Sequence, residues 1–299
     1  MSEQIDTVRE TARQLLAEKR VEYVIGYETG SDGRNARPSF ARTPEDAERF
    51  VFDATCTHNL TTYPTEPTRR GKSVGIVVKP CDARSLNVLL QERQIAKENV
   101  VPIPVTCPGI VRRTREGGDG VALQERCEAC GDRAQGADVG TLRQTSVTSD
   151  ESDRSDASDH HDDPFRRVRE MEKLSEAERE AFWAAEFERC IRCYACRQVC
   201  PACYCDECFA EMLDPEWVGI RTGTSENWMF HTIRAFHLAG RCVGCDECER
   251  VCPVTIPLGL LNGKLRKDVQ ETFDYRAGVS PDQVPPLATF KKDEKLGVG

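Results

Sequence analysis

No apolar run in this chain approaches the roughly 20 residues that cross a bilayer, so no membrane span is expected. Its first residues, M-S-E-Q-I-D-T-V-R-E, lack the charged-then-apolar pattern of a secretory signal. An excess of positive charge is also missing: 41 Lys and Arg face 50 Asp and Glu, a formal charge of -9, which argues against nucleic acid as the main partner. No G-x-G-x-x-G loop opens a helix, which weakens the case for a nucleotide of the chain's own. What the chain has in abundance is cysteine, 16 in 299 residues. In a secreted protein such a count suggests disulfides. Without a signal segment, and with the spacing described next, it points to reduced thiolates in the cytoplasm.

Cys190, Cys193, Cys196 and Cys200 have the spacing C-x2-C-x2-C-x3-C with Pro201 directly after, and Cys242, Cys245, Cys248 and Cys252 repeat it with Pro253. Three thiolates two residues apart wrap one [4Fe–4S] cube within a loop, and the fourth cysteine usually reaches a second cube. The rule predicts crossed ligand sets: Cys190, Cys193, Cys196 and Cys252 for one cube, and Cys242, Cys245, Cys248 and Cys200 for the other. Zinc is the competing reading, but its sites use four ligands, usually as two separated pairs.

The rest of the chain reads as two folded parts. Ile5, Val8, Ala12, Leu15 and Leu16 mark an amphipathic helix over 4–19. Val21 to Tyr27 reads as a strand, and Gly30, Gly33 and Pro38 as a loop. Thr43 and Pro44 start a helix carrying Ala47, Phe50 and Val51. Val74–Val78 has the continuous apolar character of a buried parallel strand. A helix capped by Asp82 and a strand over Val100 to Val105 complete an α/β unit. Residues 149–163, S-D-E-S-D-R-S-D-A-S-D-H-H-D-D, contain nothing apolar beyond alanine and predict a disordered tether. Metal capture there by His160, His161 and the aspartates is the alternative. Ser175 and Glu178 form a capping box, Ser225 is placed to cap a helix to Leu238, and another helix follows Pro257. The fold class is therefore an α/β N-terminal domain (1–136), an acidic flexible linker (137–165), an all-α helical ferredoxin (dicluster) domain (166–280) and a tail (281–299).

Eight cysteines fall outside the two motifs. Cys81 and Cys107 end strands, where ligands bind in parallel sheets, and Cys127 and Cys130 form a two-spaced pair. Together they are candidates for a third site, with Cys56, Cys203, Cys205 and Cys208 as alternative ligands. Structural thiols or zinc are the other readings. Lys79, Asp82 and Arg84 form a candidate anion site at a helix start, or an ordinary strand-to-helix turn. His231 and His237 belong to a packing helix, with a redox role as the alternative.

At K-P-C-D-A-R-S-L, V-T-C-P-G and C-I-R-C-Y-A-C-R-Q-V-C-P-A-C-Y-C the chain resembles the beta-subunit family of deazaflavin-coenzyme-linked hydrogenases and formate dehydrogenases, in a shorter form with a C-terminal dicluster domain. The resemblance spans Val21 to about Gly278, apart from the acidic run. It implies anaerobic electron transport through Cys190–Cys200 and Cys242–Cys252, to or from a flavin or deazaflavin site that larger members carry. Here the clusters follow the α/β domain instead of preceding it. The chain is also short for holding both a flavin and a deazaflavin, so neither is required. The C-terminal half is similar to helical dicluster subunits of heterodisulfide-reductase-like complexes as well. The expected function is an electron-transfer subunit of a cytoplasmic oxidoreductase, with two 4Fe-4S clusters, a candidate third, and other subunits of a redox complex as partners. A catalytic subunit with its own flavin or deazaflavin, and a zinc-stabilised scaffold, are the rival readings.

Overall fold

The computed structural model describes residues 2–66, 68–113, 121–128, 130 and 163–286. Helix α1 (Ser2–Ala17) buries Val8, Ala12, Leu15 and Leu16, the stripe that its period of 3.6 brings to one face. That face closes on a four-stranded sheet of β1 (Tyr23–Thr29), β2 (Ala36–Ala41), β3 (Val74–Val78) and β4 (Val100–Pro104), in the order β2-β1-β3-β4. Every residue of β3 is buried, as a central parallel strand requires. It pairs in parallel with β1 through Val24↔Gly75 and with β4 through Ile76↔Pro102. Between β3 and β4 runs α2 (Pro80–Gln91), which completes the βαβ unit and starts with proline in the first turn.

Two expectations need correcting here. The stretch around Pro38 is the antiparallel edge strand β2, not a loop, with Tyr27 opposite Pro38. An edge strand tolerates proline because the missing N–H would have faced away from the sheet. The segment after Thr43 is a six-residue 3₁₀ turn, Pro44–Arg49, not a longer helix. The Asp46 carboxylate accepts the backbone N–H groups of Arg42 and Thr43 at 2.9 Å, which ties the turn back on itself.

A short hairpin, β5 (Val111–Arg113) with β6 (Val121–Leu123), and a single turn α3 (Glu125–Glu128) end the α/β part. The acidic run expected to be a tether lies outside the described residues up to position 162. Residues 163–286 then hold α4 (Arg166–Glu172), α5 (Glu176–Glu188), α6 (Ala195–Gln198), α7 (Thr224–His237), α8 (Glu247–Arg250) and α9 (Leu258–Phe273). Ser175 starts α5 with a capping box: its Oγ accepts the Glu178 N–H and its own N–H donates to Glu178 Oε2 at 2.8 Å. Helix α7 begins at Thr224 after Gly223, so Ser225 lies inside the first turn instead of capping it. No described helix is long and apolar enough to cross a membrane.

The two parts meet along α2. Arg84 donates to the Ala277 carbonyl at 3.0 and 3.1 Å, Asn87 to the Gly278 carbonyl at 2.9 Å, and Gln91 to the Ser280 carbonyl at 2.7 Å. Gly278 has a φ of 73°, and a Cβ there would lie 2.1 Å from the Arg84 carbonyl oxygen, so only glycine fits this close approach. Further across, Tyr204 donates to Glu92 at 2.6 Å and Thr62 to the Val199 carbonyl at 3.0 Å.

Candidate metal centres

The repeat in the sequence is also a repeat of the backbone. In the first motif Arg192 and Tyr194, on either side of Cys193, have φ values of 47° and 58°; in the second, Gly244 and Asp246 flank Cys245 at 73° and 47°. One helical turn follows in each, α6 and α8, and then a tight turn closed by Cys203 N–H to the Cys200 carbonyl at 3.0 Å or Thr255 N–H to the Cys252 carbonyl at 3.1 Å. Left-handed backbone at non-glycine residues is costly and persists where the surroundings enforce it. Here it turns the central cysteine of each motif the same way.

The thiols fall into two neighbourhoods. Cys190, Cys196, Cys248 and Cys252 are buried in one apolar cluster with Phe187, Phe230, Ile256 and Leu258. Burial raises the Cys190 thiol pKa, and the nearby Cys252 and Cys193 raise it further. Cys196 is pushed up to about 11 by burial, with Cys190, Cys252 and Cys193 adding to it. Burial likewise raises Cys242, Cys245 and Cys248, and all three have Cys200 as a neighbour. Cys252 thus stands with the first motif, and Cys200 with the second.

Thiols pushed up in this way hold their protons unless a cation replaces them, so metal loading here releases protons. The donor set suits an iron–sulfur cube: soft sulfur ligands in apolar surroundings, with N–H groups aimed at them. Arg192 N–H donates to Cys190 Sγ and Ile256 N–H to Cys252 Sγ, both at 3.4 Å, and Asn262 Nδ2 to Cys248 Sγ at 3.5 Å. Among the described residues no three His, Cys, Asp or Glu side chains close on one point as a single metal ion requires. A cube makes no such demand, because each thiolate binds its own iron.

Helix α7 supplies what sequence reasoning missed. Asn227, His231 and Arg234 recur at i, i+4 and i+7, so they share one face, and all three are buried. Asn227 donates to the carbonyls of Phe187 at 2.8 Å and Cys190 at 3.0 Å. His231 Nε2 lies 3.2 Å from Cys190 Sγ. Burial, and then the Arg234 charge, push the His231 pKa down to about 3, so the ring is neutral and can donate Nε2–H to a thiolate. Arg234 donates to the Cys196 carbonyl at 2.9 Å. Three polar residues on the inward face of an apolar helix were the available signal. His237, by contrast, is exposed and makes an edge contact with Phe209.

All four third-site candidates line one cavity of about 250 Å³ between the α/β and helical parts: Cys81, Cys107, Cys127 and Cys130, together with Arg126. Ile110 N–H donates to Cys127 Sγ at 3.4 Å. Burial raises the Cys107 pKa, and Cys127 adds to the rise. Arg126 keeps its charge against burial because Cys81, Glu247 and Cys245 surround it, and its Nε has no hydrogen-bond partner. The alternative cysteines lie elsewhere. Cys56 is packed in the α/β core and pushed up to about 12 by burial, Cys203 hydrogen-bonds Cys200, Cys205 is exposed and Cys208 half-buried.

At the candidate anion site, Lys79 is 1% exposed and turned inward. Its Nζ meets Asp82 Oδ2 at 2.8 Å, donates to the His58 carbonyl at 2.7 Å, and also bonds the Tyr27 hydroxyl. Those partners satisfy its charge within the protein, as an ordinary strand-to-helix turn would. Asp82 is a residue of the first turn of α2, not its cap, and Arg84 is engaged with Ala277.

An α/β sheet fused to a cysteine-rich helical part is the class of protein these features define. No family model matches the chain. It is similar to the F420-dependent formate dehydrogenase subunit beta of Methanocaldococcus jannaschii, with 32% identity over 111 residues, 37% of this chain and 28% of the relative. It is also similar to the F420-dependent formate dehydrogenase 1 subunit beta of Methanococcus maripaludis, with 30% identity over 104 residues, 35% of this chain and 26% of the relative. The matched stretch thus spans little more than a quarter of either relative. The resemblance read from the motifs is borne out by these relatives.

Proposed function

We propose that the chain is an iron–sulfur electron-transfer subunit of a larger oxidoreductase, of the deazaflavin-linked formate dehydrogenase or hydrogenase kind, with a helical dicluster domain after its α/β domain. The observation that carries this reading is the doubled loop: two cysteine motifs with one backbone path, whose thiols group in the crossed manner. A [4Fe–4S] cube, when bound, takes up and gives back one electron at a potential set by charge, N–H···S bonds and exposure. Cys190, Cys193, Cys196 and Cys252 would hold one cube, and Cys242, Cys245, Cys248 and Cys200 the other. Cys81, Cys107, Cys127 and Cys130 would hold a third beside Arg126, whose buried charge offsets thiolates.

The residues also suggest a direction in space. Cys193 is exposed, so the first cube is the one within reach of a partner subunit. Cys245 and Cys81 act on one another electrostatically, so the second cube adjoins the cavity of the α/β domain. Electrons would then pass between a partner at Cys193 and the cavity at Cys81. A second reading, a flavin or deazaflavin held by the chain itself, draws on the names of the relatives. The cavity of about 250 Å³ is smaller than the roughly 300–1,000 Å³ usual for such ligands, which favours the first reading.

Anaerobic purification followed by iron and acid-labile sulfide analysis tests the proposal. About eight irons per chain are expected from two cubes and about twelve from three. A yield near four, or zinc instead, sinks it. Structured flavin bands in place of the broad absorption of clusters would favour the second reading.

A further inference from the structure

Arg234 is the buried guanidinium in the helical part that has no carboxylate partner among the described residues. Elsewhere such a charge is matched: Arg250 pairs with Glu247 at 2.7 Å, and Arg241 with Glu92. Arg234 is 4% exposed, its Nη2–H donates to the Cys196 carbonyl at 2.9 Å, and its Nε–H is buried with no partner. A guanidinium left in this state is strongly unfavourable unless an anion lies close by. The anionic groups around it are sulfurs, Cys200, Cys203, Cys248 and Cys196. In the crossed ligand sets Cys196 belongs to one cube, and Cys200 and Cys248 to the other. The one charge therefore faces both.

We propose that Arg234 is a positioning residue for electron transfer, whose fixed charge between the two ligand sets raises the reduction potential of both cubes together. This rests on the two-cube reading above. Each cube with its four thiolates carries a net charge of roughly −2 and gains one more negative charge on reduction. A positive charge held at fixed distance therefore favours the reduced form of each, and it also softens the repulsion between two reduced neighbours. The step is a one-electron transfer from a low-potential donor, dithionite in the test, and no bond forms or breaks at Arg234. Because the charge is buried, salt screens it little.

The experiment is a potentiometric titration of the full chain, followed by electron paramagnetic resonance, with Arg234→Gln and Arg234→Lys compared to wild type. Iron content is measured on every sample. Arg234→Gln is expected to keep its iron while the reduced-to-oxidised ratio of both cubes at fixed ambient potential falls at least tenfold, about 59 mV for one electron. The shift should persist at high salt, and Arg234→Lys should recover most of it. Unchanged potentials in an iron-replete Arg234→Gln variant overturn the proposal, and so does a shift in one cube alone. Iron lost from Arg234→Gln makes the residue structural and overturns it as well. Wild-type protein with no cubes defeats the two-cube reading instead, and iron analysis separates that failure from the others.

Discussion

Around Cys193 and around Cys245 the backbone follows one path, yet the walls of the two loops have little in common. The first is lined by Phe187, Tyr194, Trp228 and Phe230, with the neutral His231 at Cys190. It opens outward: Cys193 is exposed, Ile191 beside it is 57% exposed, and Arg192 reaches the Gly219 carbonyl, which draws in the loop carrying Trp217 and Ile220. The second loop is turned inward. Val243 and Cys245 pack with Val88 of α2, Tyr275 and Ala277, while the fully buried Glu247 pairs with Arg250 and faces Arg126 at 3.6 Å. Spacing fixes which side chains can meet a cluster; the surroundings make one loop a solvent-side station and the other an interior one.

The largest expected effect tests whether the loops are interdependent. Cys252→Ala should lose the same cube as Cys190→Ala, and roughly half the iron of a two-cube protein. Cys245→Ala should lose the other cube. Low-temperature electron paramagnetic resonance of the reduced protein distinguishes the two losses, because each leaves one isolated cluster in place of a coupled pair. Should Cys252→Ala instead match Cys245→Ala, each loop closes on its own cube and the crossing is wrong.

Next in size is an asymmetry between the fourth cysteines. Cys203 occupies the turn position that Thr255 holds in the second motif, and its thiol hydrogen-bonds Cys200. A second soft donor next to the lost one can take its place. Cys200→Ala should therefore keep most of the iron, whereas Cys252→Ala, with threonine at the equivalent place, should not. The double variant Cys200→Ala/Cys203→Ala should lose what the single variant kept. Equal losses in Cys200→Ala and Cys252→Ala would erase the asymmetry.

Local sequence signals explain which parts were legible. The proline-closed motifs, the all-apolar Val74–Val78 and the Ser175 capping box each carry their information within a few residues, and the structure has the β3 strand and the α5 start where they were expected. Pro38 misled because a proline reads as a breaker unless the strand is known to lie at an edge, and edge position is a property of the whole sheet. Asn227, Arg234 and Asn262 were invisible for a similar reason. Their roles arise from sulfurs and carbonyls 14 to 40 residues away. Lys79 looked like an anion-binding residue because its partner Tyr27 lies 52 positions earlier in the chain.

Gly278 offers a test of moderate size that should affect the interior loop more than the outer one. Alanine there meets a φ of 73° and the Arg84 carbonyl oxygen. The expected cost is about 2 kcal/mol or more, seen as a melting temperature lower by several degrees. Ala277 packs in the same cluster as Cys245, so the signal of the second cube should broaden while that of the first stays unchanged. Wild-type melting would mean that residues 277–280 do not hold the two parts together.

The smallest effect expected is also the most local. His231 lies at Cys190 Sγ and Asn262 donates to Cys248 Sγ, so each loop has one side-chain N–H aimed at a sulfur of a different cube. His231→Phe preserves the stack on Phe187, whose ring lies 4.7 Å away and nearly parallel, but removes that N–H. Asn262→Leu does the same for the other loop at similar volume. A neutral hydrogen bond to the thiolate is worth about 1 kcal/mol, or roughly 40 mV for one electron. It stabilises the more negative, reduced form, so its loss should lower the potential. His231→Phe should lower only the first cube, and Asn262→Leu only the second. Neither change alters a charge, so neither should reach across to the neighbouring cube as loss of the Arg234 charge does. Two shifts of similar size confined to separate cubes would establish that the loops are tuned independently by their own walls. If His231→Phe moves both potentials, the aromatic wall of the first loop also governs the interior station, and the contrast between the two loops is smaller than their surroundings suggest.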